Sequence, residues 1–411
     1  MLVVYNIFIV CYQLAIRLLA FKNKKAKEWI IGRENWQHAL QHAIGDHKSW
    51  IWMHCASAGE FEQGKPVIEN LKKQFPDVKV VVSFFSPSGF GIAKKYKYAD
   101  HVTYLPLDTS SNAKDFIHIV QPKLVVFVKY DYWYHHLKTV KENGIPLLLV
   151  SAIFREGQPF FKWYGGLHRE MLGFFSQIFV QDAASAQLLT KLKIDHCTIS
   201  GDTRFDRVST LTQELPQLEI IEAFRNGQKV IVAGSTWPED ENLLQKTIAG
   251  IRDLKVIIAP HEINRAHIAH IQSVFPEAIL FSEATKSNTE DKQVLIIDNV
   301  GMLSRLYYYA TVTYIGGGFN KSGIHNTLEA AVWGKPVFFG PNFQKFKEAK
   351  ELIARGGALS VSDSLIFNKQ LTQFLADDTH LQRTGEIARE YVMTNIGATE
   401  KIIRYIRQNV F

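Results

Sequence analysis

Residues 312–339 read VTYIGGGFNKSGIHNTLEAAVWGKPVFF. The stretch predicts a buried strand at Val312–Ile315, a loop of three glycines, a short helix and a second strand at Pro336–Phe339. Glycines after a strand let the backbone approach a ligand where a Cβ atom would clash. A helix that starts beside them offers free N–H groups and the positive end of its dipole, which suits a phosphate. The pattern favours an α/β fold with an anion site near Gly317 and Gly318.

Two polar side chains follow the glycine loop. Asn326 and Glu329 lie three residues apart, so on a helix they share one face. There Glu329 can accept hydrogen bonds from both hydroxyls of a ribose. The alternative is a tight strand-to-helix turn that is merely rich in glycine, because a glycine loop alone is a weak signal.

Length and composition indicate a globular protein of two or three domains. The chain has 411 residues, of which 46% are hydrophobic and 21% are charged. Its three cysteines, Cys11, Cys55 and Cys197, have neither metal-site nor redox spacing. We therefore expect a reducing compartment and no zinc site.

The positive charge is concentrated in the first half of the chain. Residues 1–205 hold 25 Lys and Arg against 17 Asp and Glu, whereas residues 206–411 hold 22 against 23. A basic half suits anionic lipid headgroups or a phosphorylated lipid. Nucleic acid is the competing partner, but it is not expected because no recognition module is present.

The N-terminal segment Met1–Phe21 is apolar except for Asn6, Gln13 and Arg17, which fall on one helical stripe. The basic cluster that follows consists of Lys22, Lys24, Lys25 and Lys27. The segment can span a bilayer or lie in its interface, with the lysines on the cytoplasmic side in both cases. A buried first helix is the third alternative. A cleaved signal peptide is not expected, because the segment lacks an A-x-A site.

Ten apolar runs alternate with helical patterns and predict two doubly wound domains with parallel sheets. The runs are Ile51–Met53, Val78–Phe84, Leu124–Val128, Pro146–Ser151, Ile178–Gln181, Lys229–Ala233, Lys255–Ala259, Val294–Ile297, Val312–Ile315 and Pro336–Phe339. The polar run Thr203–Glu219 predicts a linker near residues 205–220. Residues 377–411 read as helices.

Two acids follow strands in the first half, where the ligands of α/β sheets bind. Glu60 comes soon after the strand Ile51–Met53, in the sequence His54-Cys-Ala-Ser-Ala-Gly-Glu60, and can act as a general base. Asp131 follows Leu124–Val128, next to Lys129. The alternatives are structural: Glu60 favoured by a helix dipole, and Asp131 as a helix cap.

Small and polar loops follow the strands of the second half and predict one nucleotide site. The candidates are Ser235 and Thr236 for phosphate, Pro260 and His261 beside a base, and the backbone of Gly301 and Met302 at the base edge. Ser235 and Thr236 also suit an ordinary N-cap, and a lone histidine is more often structural. No metal-ligand spacing is present, so we expect no metal or other cofactor.

The ordered set of motifs resembles the 3-deoxy-D-manno-octulosonic acid (Kdo) transferases of lipopolysaccharide synthesis, nearly from end to end. The matching motifs are Ser57-Ala58-Gly59-Glu60, Tyr104–Asp108, Gly201–Asp206, Ser235-Thr236, Pro260-His261, Gly301-Met302 and His325–Ala330. Three positions depart from the family pattern. Lys129-Tyr130-Asp131-Tyr132-Trp133 stands where the family often has E-T-E-L-W, Ile324 replaces a glycine, and Thr327 replaces a proline.

The resemblance implies a GT-B glycosyltransferase: two Rossmann-like domains that face a central cleft, with an apolar N-terminal helix. It implies an inverting transfer of Kdo from CMP-Kdo to a lipid A precursor, with Glu60 as the general base and Asp131 as the second catalytic acid. It implies donor contacts from Ser235, Thr236, Pro260, His261, Gly301, Met302, Gly317, Gly318, His325, Asn326 and Glu329. The acceptor would be oriented by Ser57, Gly59, Lys129, Arg155 and Arg204.

The implied division of the chain has four parts. Residues 1–27 would associate with anionic lipids on the cytoplasmic face of the inner membrane. Residues 28–207 would bind the acceptor, residues 208–390 would bind the nucleotide sugar, and residues 391–411 would form a helix that packs back on the first domain.

Three rival functions remain open at the level of sequence. The nearest is a GT-B enzyme that uses a UDP-sugar on a lipid or cell-wall acceptor. A nicotinamide-dependent oxidoreductase lacks support, because no G-x-G-x-x-G follows the first strand. A non-catalytic lipid-binding protein would not need Glu60.

Overall fold

The computed structural model describes residues 1–47, 49–251 and 253–411. Its residues form two compact units. Unit 1 comprises Met1–Arg207 together with Ile396–Phe411, and unit 2 comprises Val208–Asn395. The segment predicted as a linker, residues 205–220, contains the end of one helix and the start of the next.

The strands of unit 1 are β1 (Trp50–Cys55), β2 (Lys79–Phe84), β3 (His101–Tyr104), β4 (Leu124–Val128), β5 (Leu147–Ala152), β6 (Gln177–Val180) and β7 (Cys197–Ile199). Those of unit 2 are β8 (Lys229–Thr236), β9 (Leu254–Pro260), β10 (Ile279–Leu280), β11 (Val294–Ile296), β12 (Val312–Ile315), β13 (Val337–Phe339) and β14 (Ala358–Ser360).

The helices before β8 are α1 (Leu2–Leu19), α2 (Lys24–Ile31), α3 (Trp36–Ile44), α4 (Ala58–Gln74), α5 (Pro87–Ala93), α6 (Ser110–Val120), α7 (Tyr134–Glu142), α8 (Gly166–Leu172), α9 (Ala183–Lys191), α10 (Thr203–Ser209) and α11 (Glu219–Arg225). Those after β8 are α12 (Pro238–Ile248), α13 (Arg265–Val274), α14 (Leu303–Leu306), α15 (Leu328–Ala331), α16 (Lys347–Arg355), α17 (Ser364–Ala376), α18 (Asp378–Thr394) and α19 (Ala398–Asn409).

Each unit is built on a parallel sheet. The strand order is β3-β2-β1-β4-β5-β6-β7 in unit 1 and β10-β11-β9-β8-β12-β13-β14 in unit 2. Neighbours pair in parallel, as Trp52 with Val81 and Val125, and Tyr314 with Ala233, show. The order reverses between β1 and β4, and again between β8 and β12. Ligands of open α/β sheets bind at such points.

All ten predicted strands are confirmed, and so is the α/β architecture. The strands that the sequence did not reveal are β3, β7, β10 and β14. They lie at the sheet edges, have two to four residues, and are only partly buried. An edge strand covered on fewer sides needs no long apolar run, so it leaves a weak signal.

Helix α1 attaches to unit 1 by one face. Ile9 is buried against Trp29 and Leu107, with Tyr5 and Tyr12 packed beside it. Yet only 6% of the helix is buried, which rules out the alternative of a buried first helix. The helix is long and apolar enough to cross a membrane.

The C-terminal helix α19 completes the core of unit 1. Ile402 and Ile406 pack with Ile68 of α4 and Val80 of β2. Gly397 occupies the N-cap position of α19 but has no side chain with which to cap it. Asp206 of α10 supplies the cap instead, because its two oxygens accept from the N–H groups of Gly397 and Thr399, both at 2.6 Å.

We expect Asp206→Ala to lower the free energy of unfolding by about 1–2 kcal/mol, because the start of α19 loses its cap. Asp195→Ala is the control, since it removes an exposed carboxylate of the same unit. Urea unfolding followed by circular dichroism measures both variants. Equal stability of the two would contradict the role assigned to Asp206.

Candidate functional site

Candidate residues gather where the strand order reverses in each sheet. In unit 1, Glu60 and Asp131 follow β1 and β4. Both carboxylates act on Cys55 at the end of β1: burial raises the pKa of its thiol well above the usual value, and the two charges raise it further. The structure therefore brings the two predicted acids to the same strand end.

Glu60 lies in the first turn of α4, half-buried, with Ser57 at the N-cap position. The hydroxyl of Ser57 donates to the Glu60 carboxylate rather than capping the helix backbone. The neighbouring Gly59 is exposed. Ser57 thus holds the acid in place, and Gly59 leaves its approach open.

Asp131 is held by groups from two directions. Its Oδ2 atom accepts from Nε2 of His54 at 2.9 Å and from the indole of Trp133 at 3.2 Å. Its Oδ1 atom has no hydrogen-bond partner in the described part of the chain, and its side chain keeps 18% of its surface exposed. The carboxylate is oriented by one oxygen and presents the other.

A buried hydrogen-bond chain fixes the tautomer of His54. The Trp52 indole can only donate, and it donates to Oγ of Ser83 at 2.7 Å. The Ser83 hydroxyl lies 2.8 Å from Nδ1 of His54. If Ser83 donates to Nδ1, then Nε2 carries the proton that Asp131 accepts, and every donor in the chain is used. His54 therefore acts as a positioning residue for Asp131.

The predicted orienting residues are placed around Tyr130. Burial raises the pKa of its phenol, Arg155 and Arg204 lower it, and Glu60 raises it. Arg204 also pairs with Asp202, Nη2 to Oδ2 at 2.8 Å, whereas Arg155 is exposed. Lys129 adopts a left-handed backbone (φ +69°) at the end of β4.

In unit 2, the three glycines approach protein rather than open space. A Cβ atom on Gly316 would lie 2.3 Å from the Ser235 carbonyl oxygen, and one on Gly318 would lie 2.5 Å from Cα of Gly340. Gly317 has φ +90°, and its N–H donates to Oδ2 of Asp240 at 2.8 Å. These glycines allow close packing of the strand-end loops, and the approach of their backbone to a ligand stays a prediction.

Asp240 of α12 ties those loops together. It is 1% exposed, and besides Gly317 it accepts from the Tyr314 hydroxyl at 2.7 Å and the Trp237 N–H at 3.0 Å. Burial raises the pKa of this carboxyl to about 6, although the three hydrogen bonds lower it. Tyr314 belongs to β12 and Trp237 follows β8, so one carboxylate joins both sides of the point where the strand order reverses.

The predicted phosphate pair lies at the end of β8 rather than in a separate loop. Ser235 is half-buried with φ +54°, at an irregularity in the strand. Thr236 is fully buried, and its hydroxyl donates to Glu241 at 2.9 Å. Glu241 also lies 2.8 Å from Nε2 of His267. The Thr236 hydroxyl therefore forms its hydrogen bond inside unit 2.

A stack of three rings stands beside these loops. The His261 ring lies between Trp237 at 4.9 Å and His325 at 4.2 Å. The Trp237 indole donates to Nε2 of His325 at 3.1 Å, so that nitrogen is an acceptor and the proton sits on Nδ1. Burial and the neighbouring His261 lower the pKa of His325 to about 4, and burial also lowers the pKa of His261.

Asn326 and Glu329 are adjacent, as predicted, but they do not share a helix face. Helix α15 begins at Leu328. Asn326 precedes it, and its Oδ1 atom accepts the Leu328 N–H at 3.1 Å. One of the N–H groups at the start of this helix is therefore occupied by a side chain, and phosphate binding by the others stays a prediction. The Asn326 amide donates to Glu329 at 3.0 Å and orients that carboxylate.

The remaining candidates lie at other strand ends of unit 2. Pro260 ends β9, Gly301 has φ +96°, and Met302 occupies the N-cap position of α14. Within residues 1–47, 49–251 and 253–411, no group of three or more His, Cys, Asp or Glu side chains could hold a metal ion.

Reasoning from sequence missed four residues that position the predicted ones: His54, Tyr130, Asp240 and Trp237. The first three are polar residues near strand ends, and that signal was available. What could not be read is their partner, because His54 and Asp131 are 77 residues apart, as are Asp240 and Gly317.

Known proteins resemble this chain in sequence and in structure. Residues 32–207 match a family described as 3-deoxy-D-manno-octulosonic-acid transferase (kdotransferase). A 3-deoxy-D-manno-octulosonic acid transferase of Rickettsia felis is 27% identical over 380 residues, 87% of this chain and 79% of that protein. One from Haemophilus influenzae is 24% identical, with 88% of each chain covered.

Among solved structures, UDP-GlcNAc 2-epimerase from Neisseria meningitidis has a TM-score of 0.62 at 16% identity, covering 88% of this chain and 100% of that one. MurG from Acinetobacter baumannii has a TM-score of 0.54 at 12% identity, covering 88% and 99%. Such identities show the fold alone.

The fold is that of the GT-B class. Within that class, the resemblance to the Kdo transferases is confirmed by the match over residues 32–207 and by the relatives that align along most of the chain.

The low pKa of His325 makes stability depend on pH. The pKa falls from the ordinary 6.5 to about 4 on folding, so the unfolded chain binds more protons between these values. The stabilisation is complete above pH 6.5 and is lost as the pH falls towards 4. We expect the free energy of unfolding to fall between pH 7 and pH 4.5, and to fall by about 1–2 kcal/mol less in His325→Gln than in the wild type. This figure allows for the partial exposure of the ring.

Chemical denaturation at the two pH values measures this difference. His118→Gln, which replaces an exposed histidine of unit 1, is the control and should follow the wild type. If His325→Gln keeps the wild-type pH dependence, the buried neutral state of His325 is wrong.

Proposed function

We propose that this enzyme transfers Kdo from CMP-Kdo to a lipid A precursor of the lipid IVA type, a tetraacyl disaccharide bisphosphate, with inversion at the anomeric carbon. The observation that carries the proposal is Glu60, held by Ser57 at the carboxyl end of β1, in a chain whose relatives are Kdo transferases. The basic composition of the first half suits a bisphosphorylated acceptor.

The proposed reaction needs one base and one leaving group. Glu60 accepts the proton of an acceptor hydroxyl while that oxygen forms a bond to the anomeric carbon of Kdo. The bond from that carbon to the phosphate oxygen breaks, and CMP leaves with the electron pair. Asp131, oriented by His54, has a second oxygen that can accept a hydrogen bond from the acceptor sugar.

The donor would bind to unit 2. The rings of His261 and His325 are neutral at pH 7, so they would donate hydrogen bonds or stack rather than supply charge. Glu329, oriented by Asn326, would accept from the ribose hydroxyls of the cytidine. Ser235 and the backbone of Gly318 are the proposed contacts of the departing phosphate, and the backbone at Gly301 and Met302 those of the base edge.

Glu60→Gln tests the base. We expect kcat to fall by about 100-fold or more, because an amide cannot accept the proton, while the Kd for CMP-Kdo stays unchanged. The readouts are product mass with CMP-Kdo and a lipid A precursor, and calorimetric donor binding. The control is Glu62→Gln, a carboxylate of the same helix that pairs with Lys65. Loss of donor binding in Glu60→Gln would argue against the base role. Transfer from a UDP-sugar, with release of UDP, would favour the rival GT-B function instead.

The enzyme would act at the cytoplasmic face of the inner membrane, attached through α1. Helix α1 packs on unit 1 through Tyr5, Ile9 and Tyr12, and polar contacts flank that face. Asn6 lies 2.7 Å from Nε2 of His135, and the Tyr5 hydroxyl donates to Asp108 at 2.5 Å. The large apolar side chains that are more than half exposed on this helix are Val3, Val4, Ile7, Phe8, Val10, Leu14, Leu18 and Leu19. A helix that is attached by one face and carries exposed apolar side chains on the others suits the membrane interface. We therefore infer that α1 lies along the membrane with the lysines after it on anionic lipids.

Leu14→Ser with Leu18→Ser tests the attachment. We expect retention on inner-membrane vesicles to fall about tenfold or more, because two apolar side chains no longer enter the lipid, while turnover on a detergent-dispersed acceptor stays unchanged. The control is Leu215→Ser with Leu365→Ser, which replaces two exposed leucines of unit 2. Equal retention of both double variants would contradict the assignment.

A further inference from the structure

A cavity of about 270 Å³ opens between α1, α2, α3 and the segment around Leu107. Its polar lining consists of Gln13, Arg17, Arg33, Glu34 and Asn112. Neither Glu60 nor Asp131 lines it, and the proposed transfer reaction makes no use of it. The cavity is therefore a separate feature of unit 1.

Arg33 is the fixed cation of this cavity. Its guanidinium donates from Nε, Nη1 and Nη2 to the carbonyl oxygens of Leu105, Trp29 and Phe85, at 2.8, 3.0 and 2.8 Å. Its Cζ atom lies 3.8 Å above the Trp29 ring. Burial lowers the pKa of Arg33 to about 9, so the group remains charged at pH 7.

The charge of Arg33 is not balanced by a neighbouring acid. Across the described residues, no carboxylate lies within ion-pair distance of it, although partly buried charges are ordinarily paired. A guanidinium has five N–H groups, so donation to three carbonyls leaves it capacity for an anion. Glu34 also lines the cavity, but it is exposed and forms no ion pair with either arginine in the part of the chain that is described.

The second cation, Arg17, stands at the exposed side of the cavity, on the last turn of α1. Gln13, one turn earlier, adds an amide to the same lining. Their neighbours Leu14 and Leu18 belong to the exposed apolar face of the helix. A group that enters between Arg17 and Arg33 would therefore approach from the side of the helix that carries Leu14 and Leu18.

We propose that this cavity binds the phosphate monoester of a lipid headgroup, with Arg17 and Arg33 on its oxygens and the Gln13 amide beside them. Guanidinium groups match phosphate oxygens in paired hydrogen bonds. A monoester suits two cations better than a diester does, because it carries a charge of about −1.5 to −2 and three free oxygens. The inference rests on the proposed attachment of α1 to the membrane, and it adds recognition of a particular headgroup.

The test uses vesicle flotation of the full chain at fixed salt. Vesicles of phosphatidylcholine contain either phosphatidate, a monoester, or phosphatidylglycerol, a diester, matched in surface charge. We expect the wild type to bind the phosphatidate vesicles about tenfold more tightly. Arg17→Gln should remove most of that preference. Lys22→Gln, which loses one charge just after the same helix but does not line the cavity, should weaken binding to both vesicles equally.

Each other outcome overturns a defined part of the inference. A wild type without preference, or an equal loss of preference in Arg17→Gln and Lys22→Gln, would overturn the headgroup site while leaving membrane attachment in place. No flotation with any vesicle would overturn both. Calorimetry with inorganic phosphate separates the two sources of the ligand: binding as tight as that to phosphatidate would show a site for free phosphate and overturn the lipid assignment.

Discussion

All strands of a parallel sheet end at the same edge. Where the strand order reverses, the loops after the two neighbouring strands diverge and leave a crevice between them. This constraint places the candidate residues of both units. In unit 1 it brings Glu60 after β1 and Asp131 after β4 to the same strand end, beside Cys55, and in unit 2 it brings Gly316 after β12 against Ser235 at the end of β8. Residues distant in sequence become neighbours because the topology leaves them no other place.

A carboxylate holds the strand-end loops in each unit, with different consequences. Asp240 is buried and accepts three hydrogen bonds from the protein, so it stabilises the loops around it. Asp131 is held by His54 and Trp133 at one oxygen and keeps part of its surface exposed. Asp240 is therefore a structural acid. Asp131 is oriented by the protein and still accessible, which a group must be if it is to act on a substrate.

The N-terminal helix attaches to unit 1 by one face and leaves most of its apolar surface exposed. A surface helix normally buries its apolar side chains, whereas α1 packs Tyr5, Ile9 and Tyr12 against unit 1 and leaves Leu14 and Leu18 exposed. Asn6, which belongs to the polar stripe seen in the sequence, lies beside this contact and is exposed. Because Asp108, which binds Tyr5, also accepts from the backbone of α7, the helix is part of the wall of unit 1.

The sequence by itself determined the α/β class, the central strands, the acids after β1 and β4, and the resemblance to the Kdo transferases, because buried strands and strand-end loops leave local patterns. Only the tertiary structure decided which partners those residues have. It showed that Gly316 and Gly318 serve close packing, that the Thr236 hydroxyl faces Glu241, and that Asp206 caps α19. Such pairings depend on contacts between residues far apart in the chain, and a local pattern carries no record of them.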